Sequence, residues 1–309
     1  MTPYTFDLAR LDTVHVVPPT PFTSDGKELL LDPLLRLAGD LAEAGMRVFL
    51  PAAGTGEFHS LTASEVLACV AAVRRAVPAS AVVMAPVGMA LEHALTIARN
   101  AAEAGADALL LMPLVQPYLS DAGYKDYFET VANASPLPLL AYKRAGVPSP
   151  RLLAELAAGG RLVGVKYAVN ELDEFARFAD EHGGRLGLYC GTAERFAPYF
   201  MLAGARGYTS GAGNLCPRLT LAMHAALTRG NYGAAMKLLR QIRPIEDYRA
   251  REGDSYNISM LKCALSLRGY AFGPPRPPQR QITAAERAEI AGVVAAVCEA
   301  EAALGHRAS

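Results

Sequence analysis

The sequence predicts an α/β fold, a (β/α)8 TIM barrel with a C-terminal helical extension, and three observations carry that expectation. A helical stretch ending in glycine and followed by a short apolar run recurs as LAEAGMRVFLPA (41–52), AAEAGADALLLMP (101–113), AGGRLVGVKY (158–167), HGGRLGLYCG (182–191) and LAGARGYTS (202–210). Glycine just past a helix supplies a left-handed cap without a Cβ penalty, and an apolar run bounded by turn residues is what a strand buried on both faces looks like. Adding the runs at 13–18, 81–86 (AVVMAP) and 137–142 (LPLLAY) gives eight candidate strands. Their spacing of roughly 20–35 residues fits a strand plus a crossover helix. A length of 309 residues accommodates such a barrel as one unit of ~250 residues with chain to spare.

Taken in order, the strands are expected to begin near residues 13, 47, 81, 107, 137, 161, 185 and 206. Between them stand helix-start signals: Asp32-Pro33, Ser149-Pro150 and the capping box Thr62-x-x-Glu65. Beyond the eighth strand, helices are expected near 217–229, 232–250, 255–269 and 283–304, the last opened by the box Thr283-x-x-Glu286. The stretch FGPPRPPQRQ (272–281) reads as an extended, polyproline-like connector. Residues 1–215 would thus form the barrel and 216–309 helices packing on it. A doubly wound open sheet is the alternative, but AGTGEF and GAGNLC both lack the third glycine of its phosphate-binding fingerprint.

Composition narrows the function. The chain is 51% hydrophobic and 19% charged, an ordinary globular balance with material for a large core. Thirty basic and thirty acidic residues give zero formal charge, which argues against a nucleic-acid partner. The five cysteines include no C-x-x-C pair, which argues against a disulfide framework or a thiolate metal site and suits a reducing cytoplasm. No apolar run approaches the ~20 residues a membrane span needs, and the first residues lack an export leader. The six histidines, His306 among them, form no H-E-x-x-H arrangement, so no metal is expected. No G-x-S-x-G elbow marks a hydrolase.

A barrel enzyme builds its site from the C-terminal ends of its strands. Lys166 closes the run LVGVK. There its stem would be packed in apolar surroundings, which disfavours the ammonium and leaves an amine able to attack a carbonyl. Tyr142 ends the neighbouring strand, where its phenol could shuttle protons. The bland alternatives are a snorkelling lysine and a core tyrosine. The loop Ala53-Gly54-Thr55-Gly56-Glu57 offers free backbone N–H groups and one hydroxyl, a nest for a carboxylate or phosphate, or simply a tight turn. Gly191 and Ser210 either approach a ligand or shape turns. His59 reads as a surface histidine and Cys190 as a packing residue.

With these residues in place, the chain resembles the dihydrodipicolinate synthase and N-acetylneuraminate lyase superfamily of Schiff-base barrels over essentially its whole length. VVPPTPFTSDGKELLLDPL (16–34) is similar to the family's first strand and TPF-x-x-DG segment. AGTGEFHSLTASE (53–65) is similar to its glycine-threonine loop, LLAY to its tyrosine strand, GVKYA to its lysine strand and YCGTAE to the following glycine turn. The resemblance implies an imine on Lys166, a proton-relay role for Tyr142, and a substrate carboxylate held by Thr55 and nearby backbone.

Departures from the synthase pattern argue against lysine synthesis. Gly54 replaces the first threonine of the family's pair, Val115 falls where a relay tyrosine from a neighbouring subunit would stand, and Lys-Arg-Ala-Gly follows Tyr142. These variants resemble the 5-dehydro-4-deoxyglucarate dehydratase branch, with its Y-x-R after strand five, S-x-x-x-N segment (Ser210 to Asn214) and G-P-x-R-P-P segment (Gly273 to Pro278). That resemblance implies dehydration with decarboxylation of a 2-oxo sugar acid and contacts from Ser210, Asn214 and Arg144, unless Arg144 points into solvent. It requires no cofactor, the imine being the electron sink, and implies a homo-oligomer, a tetramer or dimer. A pyruvate-dependent aldolase and a non-catalytic binding barrel are the competing expectations.

Overall fold

The computed structural model describes residues 6–305. Eight parallel strands close into a barrel in sequence order: β1 (Val14–Val16), β2 (Val48–Phe49), β3 (Val82–Val87), β4 (Ala108–Leu111), β5 (Leu139–Lys143), β6 (Leu162–Tyr167), β7 (Gly187–Cys190) and β8 (Gly207–Ser210). Closure is made by β8 on β1, with Val16 opposite Ser210. Every strand begins within two residues of its expected start. The open-sheet alternative is thereby excluded.

Each strand is followed by a helix: α1 (Leu31–Glu43), α2 (Ala63–Ala76), α3 (Leu91–Asn100), α4 (Asp121–Asn133), α5 (Pro150–Ala158), α6 (Leu172–His182), α7 (Ala193–Leu202) and α8 (Pro217–Thr228). On α1 the buried residues Leu34, Leu37, Ala38 and Leu41 recur at helical spacing and form one stripe against the barrel. Burying each leucine contributes about 1.5–3 kcal/mol, which fixes the helix on the sheet. Both capping boxes form: Thr62 Oγ1 accepts from the Glu65 N–H, and Thr283 Oγ1 from that of Glu286. Ser149 caps α5 with Pro150 in its first turn.

The glycine joints hold at Gly45 and Gly105, where φ is +107° and +89°. The joint before β7 differs: Gly183 stays right-handed, at φ −61°, so the helix ends there without a left-handed cap.

Four further helical segments follow: α9 (Tyr232–Arg249), a short kinked α10 (Arg251–Asp254), α11 (Asn257–Leu267) and α12 (Ala284–Gly305). Glu252, Gly253 and Asp254 all have positive φ, so the chain reverses between α9 and α11. The expected boundary after residue 215 falls between β8 and α8. By chain order α8 is the barrel's eighth helix, packing on β1 as well as α9. The connector 272–281 has no helix or strand but bends at 277–279. Among the described residues no helix is long and apolar enough to cross a membrane.

Candidate active site

A cavity of about 1130 Å³ opens at the C-terminal ends of the strands. Lys166 and Tyr142 lie in its floor, directly opposite each other in the β5–β6 register. The register follows from the parallel pairing, and alternation along β5 points the next residue, Lys143, elsewhere. Its Nζ donates to the carbonyls of Ala145 and Pro148, outside the cavity, so it is no competing nucleophile.

Lys166 is 6% exposed and its Nζ stands 4.0 Å from the centre of the Tyr142 ring. Burial lowers its pKa below the ordinary lysine value; Tyr142 opposes the shift by its charge and hydrogen bonding, and the Arg144 charge adds to it. The result is an amine that loses its proton more readily than one in water, at the bottom of a cavity wide enough for a small molecule. Such a group can form an imine with a ketone.

Gly191 follows β7 and lines the same floor. A side chain there would meet Lys166 Cγ at 3.0 Å and Ala168 Cβ at 2.8 Å, so its absence gives the lysine stem its space. Gly54 and Thr55 line the opposite wall. Gly56 does not. Its carbonyl accepts from Thr20 Oγ1 at 2.5 Å, and a Cβ there would strike the Ala52 backbone at 2.7 Å, so it is a turn residue.

Ser210 borders the cavity from the end of β8, but it is wholly buried, and its hydroxyl, expected to meet a substrate hydroxyl, is instead bonded to Glu194 and accepts from the Gly213 N–H behind the wall. Asn214 does not line the cavity: its side-chain amide donates to the carbonyls of Val17 and Gly211, both at 2.9 Å, which ties β1 to the turn after β8. The amide nitrogen expected to meet substrate is thus taken by structural bonds, while Asn214 Oδ1 is buried without a partner among the described residues. Arg144 stands at the rim, its side chain 60% exposed and 4.0 Å from Asp254. His59 is exposed, as expected, yet also lines the rim, hydrogen-bonded to Gln279 at 3.0 Å. Cys190 is fully buried, and desolvation pushes its thiol up to about 12, which keeps it inert.

Sequence reasoning missed the groups that hold these walls. Glu57, in the left-handed region at φ +65° and wholly buried, receives Lys262 Nζ and the Arg276 N–H, both at 2.8 Å. Arg276 also donates to Gly26, Lys27 and Ser60 carbonyls and to the Glu65 carboxylate. Glu246, Arg249 and Asn257 bring the C-terminal helices to the cavity wall. An acid closing a glycine-rich turn was the sequence signal for Glu57; its burial and its partners left no local mark.

Residues 10–297 match the model of the dihydrodipicolinate synthetase family. The chain belongs to that family. Among its relatives is a protein of Streptomyces coelicolor named "Probable 5-dehydro-4-deoxyglucarate dehydratase 1", 35% identical over 77% of this chain and 78% of its own. Another from the same organism is 4-hydroxy-tetrahydrodipicolinate synthase 1, 34% identical over 93% of each chain. The crystal structure of dihydrodipicolinate synthase from Oceanobacillus iheyensis superposes with a TM-score of 0.88, at 29% identity, covering 93% of this chain and 97% of that one. This dihydrodipicolinate synthetase family member is a lyase of the class that works through a lysine Schiff base.

Proposed function

We propose that Lys166 is the imine-forming lysine and that the reaction is dehydration with decarboxylation of a keto-deoxy sugar acid, as in 5-dehydro-4-deoxyglucarate dehydratase. The observation that carries this reading is the buried, cavity-facing amine of Lys166 opposite Tyr142. The unprotonated amine adds to the substrate's ketone, the hydroxyl of the resulting carbinolamine takes a proton and leaves as water, and a protonated imine remains. That cation acidifies the adjacent carbon; a base takes its proton, and the β-hydroxyl departs with a proton as water. Loss of carbon dioxide and hydrolysis of the imine return the amine.

In this scheme Tyr142 carries protons to the carbinolamine or the departing hydroxyl. Thr55, with the backbone of Gly54, holds the carboxylate beside the ketone. Arg144, free to swing at the rim, reaches a distal carboxylate; its loose bond to Asp254 supports that mobility of role. Gly191 makes room for the lysine. The substrate is a small 2-oxo acid in each variant of the scheme.

The alternative is a pyruvate-dependent aldolase on the same imine, and the synthase relative that aligns over more of this chain favours it. Incubation with 5-dehydro-4-deoxyglucarate separates the two: release of carbon dioxide supports the dehydratase, whereas release of pyruvate from a sugar acid in its place sinks it. Borohydride reduction in the presence of pyruvate must leave an adduct on Lys166 in both cases. An adduct on another lysine, or none with any 2-oxo acid, removes the assignment. A homo-oligomer is part of the proposal, supported by Val115 and Tyr118, which stand 94% and 89% exposed on the loop after β4. A cytoplasmic location is supported by the five free cysteines.

A further inference from the structure

The reaction scheme leaves the hydroxyls of a sugar acid without a partner, and the cavity wall beyond β8 holds a buried polar pair that no step uses. Side chains alternate along β8: Tyr208 and Ser210 turn outward, to Thr220 and to Glu194, whereas Thr209 and Gly211 face the cavity. At Gly211 the place of a side chain is filled from another element. A Cβ built there would collide with Cζ, Nη1 and Nη2 of Arg249, so the guanidinium of α9 lies against the glycine on the cavity side.

Arg249 and its ion-pair partner Glu246 are both buried and both line the cavity. Nη1 of Arg249 donates to Glu246 Oε1, Nη2 to Asn257 Oδ1 at 2.7 Å, and Nε to the Asn257 carbonyl at 3.3 Å. A guanidinium carries five N–H groups. One on each terminal nitrogen is therefore left without an acceptor among the described residues. Glu246 Oε2 accepts no bond among the described residues either, and it is not sealed from the cavity. Free donors and a free acceptor thus stand side by side. Lys166 belongs to β6 and Gly211 follows β8, so the pair faces the amine across the end of β7, where Gly191 leaves space.

We propose that Glu246 and Arg249 are specificity-determining residues that recognise the hydroxyls of a polyhydroxylated 2-oxo acid bound at Lys166. The inference rests on the proposed reading of this cavity and adds the part of the substrate that its α9 wall takes. The charge balance decides what the pair binds. Glu246 already cancels the Arg249 charge, and a second carboxylate would meet the bare Oε2 of the first. A hydroxyl suits both partners, accepting from the guanidinium and donating to the carboxylate, and hydroxyls on adjacent carbons can engage both at once. A buried ion pair is a weak source of net stability, which leaves recognition as the gain from keeping one at a cavity wall.

Borohydride trapping on Lys166, read as the half-saturating concentration of each 2-oxo acid, tests this with three probes. Beyond the 2-oxo acid group, pyruvate carries nothing, 2-oxo-3-deoxygluconate carries hydroxyls, and 2-oxoadipate carries a second carboxylate. Glu246→Gln/Arg249→Met removes both charges together, so neither is left buried alone. Its ratio of half-saturating concentrations, 2-oxo-3-deoxygluconate to pyruvate, should rise about tenfold or more, the loss expected for hydrogen bonds to charged groups. The ratio for 2-oxoadipate to pyruvate should stay at the parent value. Gly211→Ala keeps both charges and displaces the guanidinium, since Gly211 has an ordinary φ of −90° and the added methyl acts by collision alone. It should shift the same ratio in the same direction, and it decides the matter if the double variant does not fold. A merely structural pair would alter all three acids together and leave both ratios unmoved, which overturns the proposal. A rise with 2-oxoadipate in place of the hydroxylated acid overturns it too, because the pair would then read a carboxylate. No adduct on Lys166 with any of the three in the parent enzyme strikes the proposed function, and this inference with it.

Discussion

Replacing Gly191 by alanine separates the chemistry of Lys166 from the stability of the barrel. The backbone N–H of Gly191 donates to the Tyr167 carbonyl at 2.6 Å, which pins the glycine across the β6–β7 seam. Its φ is not in the left-handed region, so an added methyl acts through space alone. That methyl would lie 3.0 Å from Lys166 Cγ, 2.8 Å from Ala168 Cβ and 3.1 Å from the Tyr167 carbonyl, where ordinary contact begins near 3.4 Å. The lysine stem must therefore yield by about 0.4 Å or more, and the Tyr142 ring, 4.0 Å from its Nζ, limits where it can go. Overpacking of this kind costs about 1–3 kcal/mol, a few degrees in Tm. Misplacement of a reacting group by ~1 Å costs ~10²-fold in rate, so the shift here should slow imine formation by about tenfold or more. The assay is the rate of borohydride trapping of pyruvate on the peptide carrying Lys166, read beside thermal unfolding. Gly292→Ala on α12, where an added Cβ meets nothing within 4 Å, is the control. Trapping at the parent rate in Gly191→Ala would show that the lysine does not need this gap, and the steric reasoning would fall.

Tyr142→Phe keeps the ring over Lys166 and removes only the phenolic hydroxyl. Trapping should survive while turnover falls by about 10²–10⁴, and equal loss of both would show that the hydroxyl serves to place the lysine. Lys262→Ala strands the buried Glu57 carboxylate and should cost about 3–5 kcal/mol in denaturant unfolding; a loss under about 1 kcal/mol would mean that the pair contributes little. His15, buried in β1 with Nε2 2.7 Å from the Leu11 carbonyl, is driven by desolvation to about 4. The unfolded chain therefore binds a proton that the folded one refuses, and stability falls as the pH drops from about 6.5 towards 4, by on the order of 3 kcal/mol. His15→Gln should flatten that dependence, and an unchanged acid slope would refute the assignment.

What was legible in the sequence was local. Strands and joints could be read because glycine caps and doubly buried apolar runs are written in adjacent residues. Lys166 and Tyr142 could be read because each closes such a run, and the strand register then brings them face to face. Asn214 was read as a substrate contact from its place in a motif, which shows where a residue sits and not how its amide is used: its nitrogen donates to two carbonyls, while its Oδ1 is buried without a partner among the described residues. Gly56 was grouped with the nest although it only turns the chain. Glu246 and Arg249 were invisible, being ordinary charged positions on a long helix until packing turns that face to the cavity. The link from Glu57 to Lys262 spans 205 residues, beyond any window of periodicity.

That link also changes what the C-terminal helices are for. The loop carrying Gly54 and Thr55 leaves β2 and turns through Glu57, whose left-handed backbone a glutamate adopts only under constraint. The constraint is supplied from the far end of the chain: Lys262 of α11 neutralises the carboxylate, and the Arg276 N–H takes its second oxygen. The Arg276 guanidinium meanwhile fastens the turn after β1 through Gly26 and Lys27, and the cap of α2 through Glu65. Its face lies 4.1 Å from the Phe22 ring, which closes the cluster against the barrel. A chain ending at residue 215 would retain all eight strands and Lys166, yet leave Glu57 charged, buried and unpaired beneath the wall that Thr55 forms. The loop that faces the lysine thus depends on Lys262 and Arg276, and part of the cavity wall on Glu246, Arg249 and Asn257, so the helical extension takes part in building the site.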